Sequence, residues 1–250
     1  MRKIITLFLV ICITLTCFSF VACSNDCQGE TKIYYITQNV NKIVANLDNA
    51  GLNFATTNER PYVEYHQCAN RKFKISENNA IVTIKELFSI SFGGCEESKI
   101  TVYLNADWIA DIKLDCEISI DNGSVFIENY AFDLLKVQLD NGSITLKNSS
   151  AENCVTSLDN GAVEIDNLIT NTLLCDVDVG NVNAEYLNCL DKASFSVDAG
   201  NLYIQLKGSK EDFLITAKID VGKCNVSSTI TGQKQLNLSA DVGNIEVRFY

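Results

Sequence analysis

The chain has 250 residues, with 31 acidic against 20 basic side chains and a formal net charge of −11. An acidic balance without a Lys/Arg cluster excludes nucleic-acid binding and charge-driven docking on anionic lipid, since both need basic patches. His66 is the one histidine, which excludes a His-based metal cluster and leaves a catalytic triad only that residue to use.

In chain order, Met1-Arg2-Lys3 precedes an uncharged stretch from Ile4 to Ala22. This reads as a signal segment over 1–22, so the mature chain is expected to be exported. The segment ends Phe20-Val21-Ala22-Cys23, which is similar to a bacterial lipobox and makes Cys23 the expected lipid attachment. Cleavage there leaves 228 residues and a formal charge of −13, because only Arg2 and Lys3 are lost. The alternative is an uncleaved membrane anchor, since the apolar run is about long enough to span a bilayer.

Residues 23–98 read as an irregular N-terminal β cap. Lys42 to Leu47, Tyr62 to Tyr65 and Ala80 to Ile84 are short strand patterns separated by Asn, Gly and charged turns. Asp48-Asn49-Ala50-Gly51 resembles a one-residue expansion of the turn that recurs later. Gly93-Gly94 with Glu96-Glu97 is the expected joint, and Ile100 to Leu104 with Trp108 is expected to open a regular stack over 99–250, Trp108 serving as a core anchor.

That second part is an internal repeat. An Asp stands two residues before a Gly seven times: Asp121/Gly123, Asp140/Gly142, Asp159/Gly161, Asp178/Gly180, Asp198/Gly200, Asp220/Gly222 and Asp241/Gly243. Successive glycines are 19, 19, 19, 20, 22 and 21 residues apart, the self-similarity of stacked, quasi-one-dimensional folds. Counting from each Gly, positions −7, −5, −3, +2 and +4 are apolar in 34 of 35 cases, Thr156 being the exception. Period-two alternation on both arms means strands with one buried face.

An Asn-Gly turn between alternating strands is also a hairpin signal, so an antiparallel hairpin stack or sandwich is the alternative. The last four turns, however, carry Val179, Ala199, Val221 and Val242 before the Gly. A β-branched residue resists the positive φ of a type I′ turn there. A type II turn with Gly third accommodates every version. The expected fold is therefore all-β, a right-handed parallel β-helix with coils of about 19–22 residues.

Each turn Asp is expected to accept hydrogen bonds from its own turn, as Asx-turns do. A stacked column of these carboxylates is also the place for a speculative Ca²⁺ site; no other metal and no cofactor is implied. Of the eleven cysteines, Cys116, Cys154, Cys175 and Cys224 occupy inward positions and read as free core thiols. Cys27, Cys68, Cys95 and Cys189 fall outside the pattern, and pairing among them stays open. The C-terminus closes at Phe249 and Tyr250 with no capping helix, leaving that end coil for a partner or a second copy to stack on.

The Lys99 to Leu104 strand, followed by Leu-Asp-Asn-Gly-Ser-Ile and Asp-Val-Gly-Asn units such as Leu139 to Ile144 and Asp178 to Asn181, resembles the putative-adhesin family of bacterial surface proteins over roughly residues 30 to 250. Asn105 stands where that family commonly has Pro. The resemblance implies an exported right-handed β-helix and a binding role, and it carries no catalytic positions.

Three function classes follow. The first is a non-catalytic, membrane-anchored surface module that meets glycan or protein through its lateral faces, with Phe126 and Tyr203 as outward aromatics. The second is a β-helix enzyme cleaving polysaccharide through Asp and Glu; against it, the carboxylates recur alike in every coil, whereas an active site needs a local break. His66 and Cys68 share a strand face, yet two residues apart is simply what strand neighbours look like. The third is an envelope sensor that partners a membrane signalling protein.

Overall fold

The computed structural model describes residues 29–37, 39–68, 71–87, 98–105 and 114–250. It holds ten strands: β1 (Glu30–Tyr35), β2 (Lys42–Thr57), β3 (Tyr62–Gln67), β4 (Lys72–Asn78), β5 (Ile81–Leu87), β6 (Ser98–Asn105), β7 (Asp115–Glu128), β8 (Ala131–Leu206), β9 (Phe213–Cys224) and β10 (Lys234–Phe249). All belong to one sheet. The alternation of apolar residues produces coils whose strands pair in parallel, β2 with β7, β7 with β8, β8 with β10 and β10 with β9. The hairpin alternative is thereby overturned for the repeats.

The corner glycines form a column. A Cβ added at Gly142, Gly161 or Gly180 would stand within 1.8 Å of the carbonyl oxygen of Gly123, Gly142 or Gly161 respectively, closer than any real contact. These glycines also hold φ between 142° and 154°, so an L side chain is excluded both by strain and by space. Gly123, on the first rung of the repeat, lacks the positive φ and keeps only the close approach, 2.2 Å from its would-be Cβ to the Ala50 oxygen.

The corner is not the type II turn the sequence predicts. A type II turn needs φ near +80° at its third residue, and its internal hydrogen bond would consume backbone groups that here face the next rung. Pairing instead runs through the corner, Asn122 with Asn141 and Gly123 with Gly142, lapsing only at the Asp. The ladder keeps the chain extended, and glycine supplies the bend.

Inside the column, all 35 inward positions are buried except Ala217, Ile219, Cys224 and Val226. Those four lie on one rung, and the reason is the stacking order. Gly243 approaches Gly200, and Gly222 approaches Gly243, each with a would-be Cβ 1.5 Å from the neighbour's oxygen. The seventh coil therefore sits on the fifth, and the sixth forms the end of the stack. Val242 pairs with Ala199 on one side and Val221 on the other.

This corrects the expectation that the C-terminal coil is the open end. The segment after β9 doubles back over that end: Thr229 N–H donates to the Ile215 carbonyl at 2.9 Å, while the Thr229 and Ser228 hydroxyls accept from the Ile215 and Ala217 N–H groups at 2.8 and 3.0 Å. Gly232 then passes over β9 so closely that its would-be Cβ lies 2.1 Å from the Phe213 carbonyl carbon. Half of the β9 edge is thus sealed by the chain's own side chains, a device that protects exposed strand edges.

At the other end β2 is itself a rung. Its register with β7 holds from Lys42–Asp115 to Phe54–Ile127 without a step, so Ala50 stands in the glycine column and no one-residue expansion occurs at Asp48 to Gly51. β6 does not open the stack toward β7; it pairs with the second half of β2 on the far side, while β5 pairs with the first half. Antiparallel pairing of β6 with β3, of β3 with β1 and of β4 with β5 completes that end. Glu86 closes the ladder there, accepting from the Asp48 and Asn49 N–H groups at 2.9 and 2.8 Å and pairing with Arg71 at 3.2 Å. Trp108 and the Gly93-Gly94 joint lie outside the described residues.

Gly161→Ala is expected to cost about 2–6 kcal/mol, because backbone strain and overpacking each contribute roughly 1–3. Gly51→Ala, whose Cβ would meet nothing closer than the Ser124 hydroxyl at 3.2 Å, should cost under about 1 kcal/mol. Urea melts of both variants check the difference.

Candidate functional site

Among the described residues two surfaces can carry function: the wall along the glycine corner, and a cleft where the chain crosses itself. On the wall, all seven turn aspartates are exposed. Their carboxylates make no Asx-turn; the one bonded in the structure is Asp220, 3.5 Å from Lys218. The asparagines beside them do the bonding. In the early rungs the Asn122 amide donates to Asn49 and that of Asn141 to Asn122, both at 3.2 Å. In the late rungs the ladder moves to the other side of the glycine, Asn201 donating to Asn181 and Asn244 to Asn201, both at 3.0 Å.

That shift frees the position before the glycine for aliphatic residues. Val179, Ala199, Val242 and Val221 form an exposed ridge over four rungs, the valines being 52%, 53% and 62% exposed at 179, 242 and 221. The Asp column borders one flank; the other carries the Asn ladder on three rungs and Lys223 on the end rung. Phe126 and Tyr203 stand half-buried on the adjoining wall, and the Arg248 guanidinium covers the Tyr203 ring at 5.4 Å. Among the described residues no group of three or more His, Cys, Asp or Glu side chains could hold a metal ion.

A second corner escapes the sequence reading. Asn129, Asn148, Asn167 and Tyr186 each adopt left-handed φ of 46–62°, six residues after their glycines. Asn tolerates this conformation, and Asn167 donates to Asn148 at 2.9 Å. Beyond it, a third wall buries Tyr130 and Phe132, Ser149 and Ala151, Leu168 and Thr170, Leu187 and Cys189 in successive rungs. Cys189 is therefore a core residue and a free thiol, as are Cys116, Cys154 and Cys175; Cys224, on the end rung, is free and half-buried. Cys68 is disulfide-bonded, so it offers no nucleophile beside His66, whose ring lies 3.3 Å from the Thr31 hydroxyl. Cys23, Cys27 and Cys95 lie outside the described residues. Thr156, the one polar residue among the 35 inward positions counted from the glycines, keeps a buried hydroxyl without a hydrogen-bond partner.

The cleft results from the swap of rungs. The chain leaving the fifth coil runs through a short 3-10 turn, Lys210–Asp212, to reach β9 at the end of the stack, and the chain leaving β9 returns through Gly232 to enter β10 beneath it. Leu190, Glu211, Asp212, Gly232, Gln233 and Lys234 line a cleft of about 640 Å³ at that crossing. This is the local break in the repeat that the sequence did not reveal. Its only sequence signal is the lengthened glycine spacing, 22 and 21 residues against 19.

A family model described as Toastrack DUF4097 matches residues 40–248. The chain belongs to the Toastrack DUF4097 family. This Toastrack chain resembles a solved protein from Parabacteroides merdae, named a putative adhesin, at 16% identity and a TM-score of 0.50, covering 88% of this chain and 93% of that one. It also resembles a putative adhesin from Bacteroides fragilis at 15% identity and a TM-score of 0.48, covering 89% and 97%. No curated protein matches. At such identities a likeness is one of fold alone, and that to the Parabacteroides merdae protein agrees with the all-β, solenoid-like stack of this Toastrack domain.

Burial pushes the Cys175 thiol up to about 12 and raises Cys116, Cys154 and Cys189 as well. In the unfolded chain thiols ionise near pH 8.5. A raised folded pKa means that stability is complete below that value and is lost as pH climbs from it toward the folded pKa. Between pH 9 and 11 the urea midpoint should therefore fall, each buried thiol subtracting roughly 1 kcal/mol per pH unit. Cys175→Ala should give a shallower decline, and an unchanged slope would remove the thiol from the account.

Proposed function

We propose that the chain is an exported, non-catalytic binding module held at the cell surface by its N-terminus, with lipid on Cys23, and built on a right-handed parallel β-helix. Right-handed crossovers are the rule for parallel strands in one sheet. The observation that carries the binding role is the aliphatic ridge of Val179, Ala199, Val242 and Val221, laid along four rungs between a carboxylate column and a polar column of three asparagines and Lys223. A contiguous apolar strip with polar rims is the anatomy of an interaction surface. Its repetition along the stack suits an extended partner, a glycan or a protein at the cell surface. The name of the solved Parabacteroides merdae protein, a putative adhesin, supports the same reading.

Reading the wall as binding instead of cleaving rests on the turn carboxylates. They are alike in every rung and exposed, whereas glycoside hydrolysis needs two carboxyl groups tuned to different tasks. End-to-end association of two copies would use the half of the β9 edge, from Lys218 onward, that the returning segment leaves open. Among the described residues no helix is long and apolar enough to cross a membrane.

The chain lacking residues 1–23 should bind a cell-envelope fraction saturably. Replacing Val179, Val221 and Val242 with the Asn that the first three turns carry should weaken that binding at least tenfold without lowering the melting temperature. Unchanged binding would remove the ridge from the reading, and hydrolysis of any glycan in the same assay would contradict the non-catalytic assignment. Mass spectrometry of the mature N-terminus should find a lipid-modified Cys23.

A further inference from the structure

The crossing cleft holds opposite charges that do not neutralise one another. The Lys234 ammonium lies over the Phe213 ring, 5.4 Å from its centroid, a placement that stabilises a cation without consuming its hydrogen-bond donors. No carboxylate among the described residues comes within ion-pair distance of it. Yet Glu211 and Asp212 line the same cleft.

Neither acid makes an ion pair with the lysine, and Asp212 is engaged by its own turn. Asp212 caps its own turn, accepting from the Ser209 N–H at 2.8 Å, and its carbonyl accepts from the Gln233 N–H at 3.0 Å. That leaves the Glu211 carboxylate, on a turn fixed at both ends, and the Gln233 side-chain amide lining the cleft, neither side chain bonded to a partner among the described residues. Leu190, half-exposed, supplies the one large apolar surface.

Acceptor-only and donor-only groups kept apart across a cleft define the ligand by complement. It must present an anion to Lys234 and a donor or cation to Glu211, with an apolar portion against Leu190. A purely anionic ligand is disfavoured, because the two carboxylates outnumber the lysine and the chain carries −11 overall. We propose that this cleft is a binding site for a small zwitterion of the amino-acid or short-peptide class, its carboxylate on Lys234, its ammonium on Glu211 and its amide on Gln233. The volume falls within the range of about 300–1,000 Å³ usual for small-molecule pockets. The site is separate from the corner wall, so it stands or falls independently of the partner that binds there.

The test titrates the purified full-length chain with glycyl-leucine, and with the same dipeptide acetylated at its amine and amidated at its carboxyl, by calorimetry. Saturable binding of the free dipeptide, lost at least tenfold on blocking its ends and at least tenfold in Glu211→Gln and Lys234→Gln, supports the proposal. The double exchange Glu211→Lys with Lys234→Glu should recover binding that either exchange alone abolishes, an outcome a purely structural role would not produce. Melting curves matching the parent establish that the variants fold. Equal binding of the blocked dipeptide, insensitivity to Glu211→Gln, binding of glucuronate in its place, or no saturable dipeptide binding to the folded chain would each overturn it.

Discussion

The fold depends on one close approach: at the six corners from Gly142 to Gly243 the backbone of a rung passes over the carbonyl of the neighbouring rung, with no space for a β-carbon. Hydrogen bonds continue through the bend because the chain stays extended there, and glycine alone combines that φ with that proximity. The column sets the register of everything else. With the corners aligned, the inward apolar positions of successive coils superimpose and the core becomes a vertical pile of like side chains. The same alignment puts the outward residues in columns, so asparagines meet asparagines and bond, as stacked amide ladders do elsewhere.

Regularity of this kind builds walls, and the crossing cleft comes from breaking order instead of period. The sixth and seventh coils retain the corner signature while exchanging places, which forces two connecting segments past one another at Gly232. The residues spent on that crossing leave the pattern of alternating strands and line a cleft with unlike groups: a lysine held over an aromatic ring, a carboxylate and an amide. Sealing of the end rung follows from the same detour, since the returning segment caps β9 with Ser228 and Thr229. One departure thus closes an edge and opens a site.

Much of this was legible in the residues. The Asp-Xaa-Gly spacing marked the corners, and five inward positions per coil were readable because period-two alternation extends on both sides of the glycine. The third wall was not readable, because the left-handed Asn corner resets the alternation and small or polar residues such as Ser149 and Thr170 take inward places. Cys189 went unassigned for that reason. β2 was hidden as a rung by Ala50, which is tolerated where the layer outside it is divided between β5 and β6. The exchange of the last two rungs left almost no trace, since Val221 and Val242 present identical corners and only a few extra residues distinguish their connections.

The order of the glycine column is tested most directly by engineered cross-links at exposed corner positions. Adjacent rungs are about 4.8 Å apart and alternate rungs about twice that, on either side of the roughly 7 Å limit for a disulfide. Oxidation of the Ala199→Cys, Val242→Cys double variant should yield an intramolecular disulfide by peptide mapping, whereas Ala199→Cys, Val221→Cys should yield none. The reverse result would place the coils in simple chain order and contradict both the crossing and the cleft it creates.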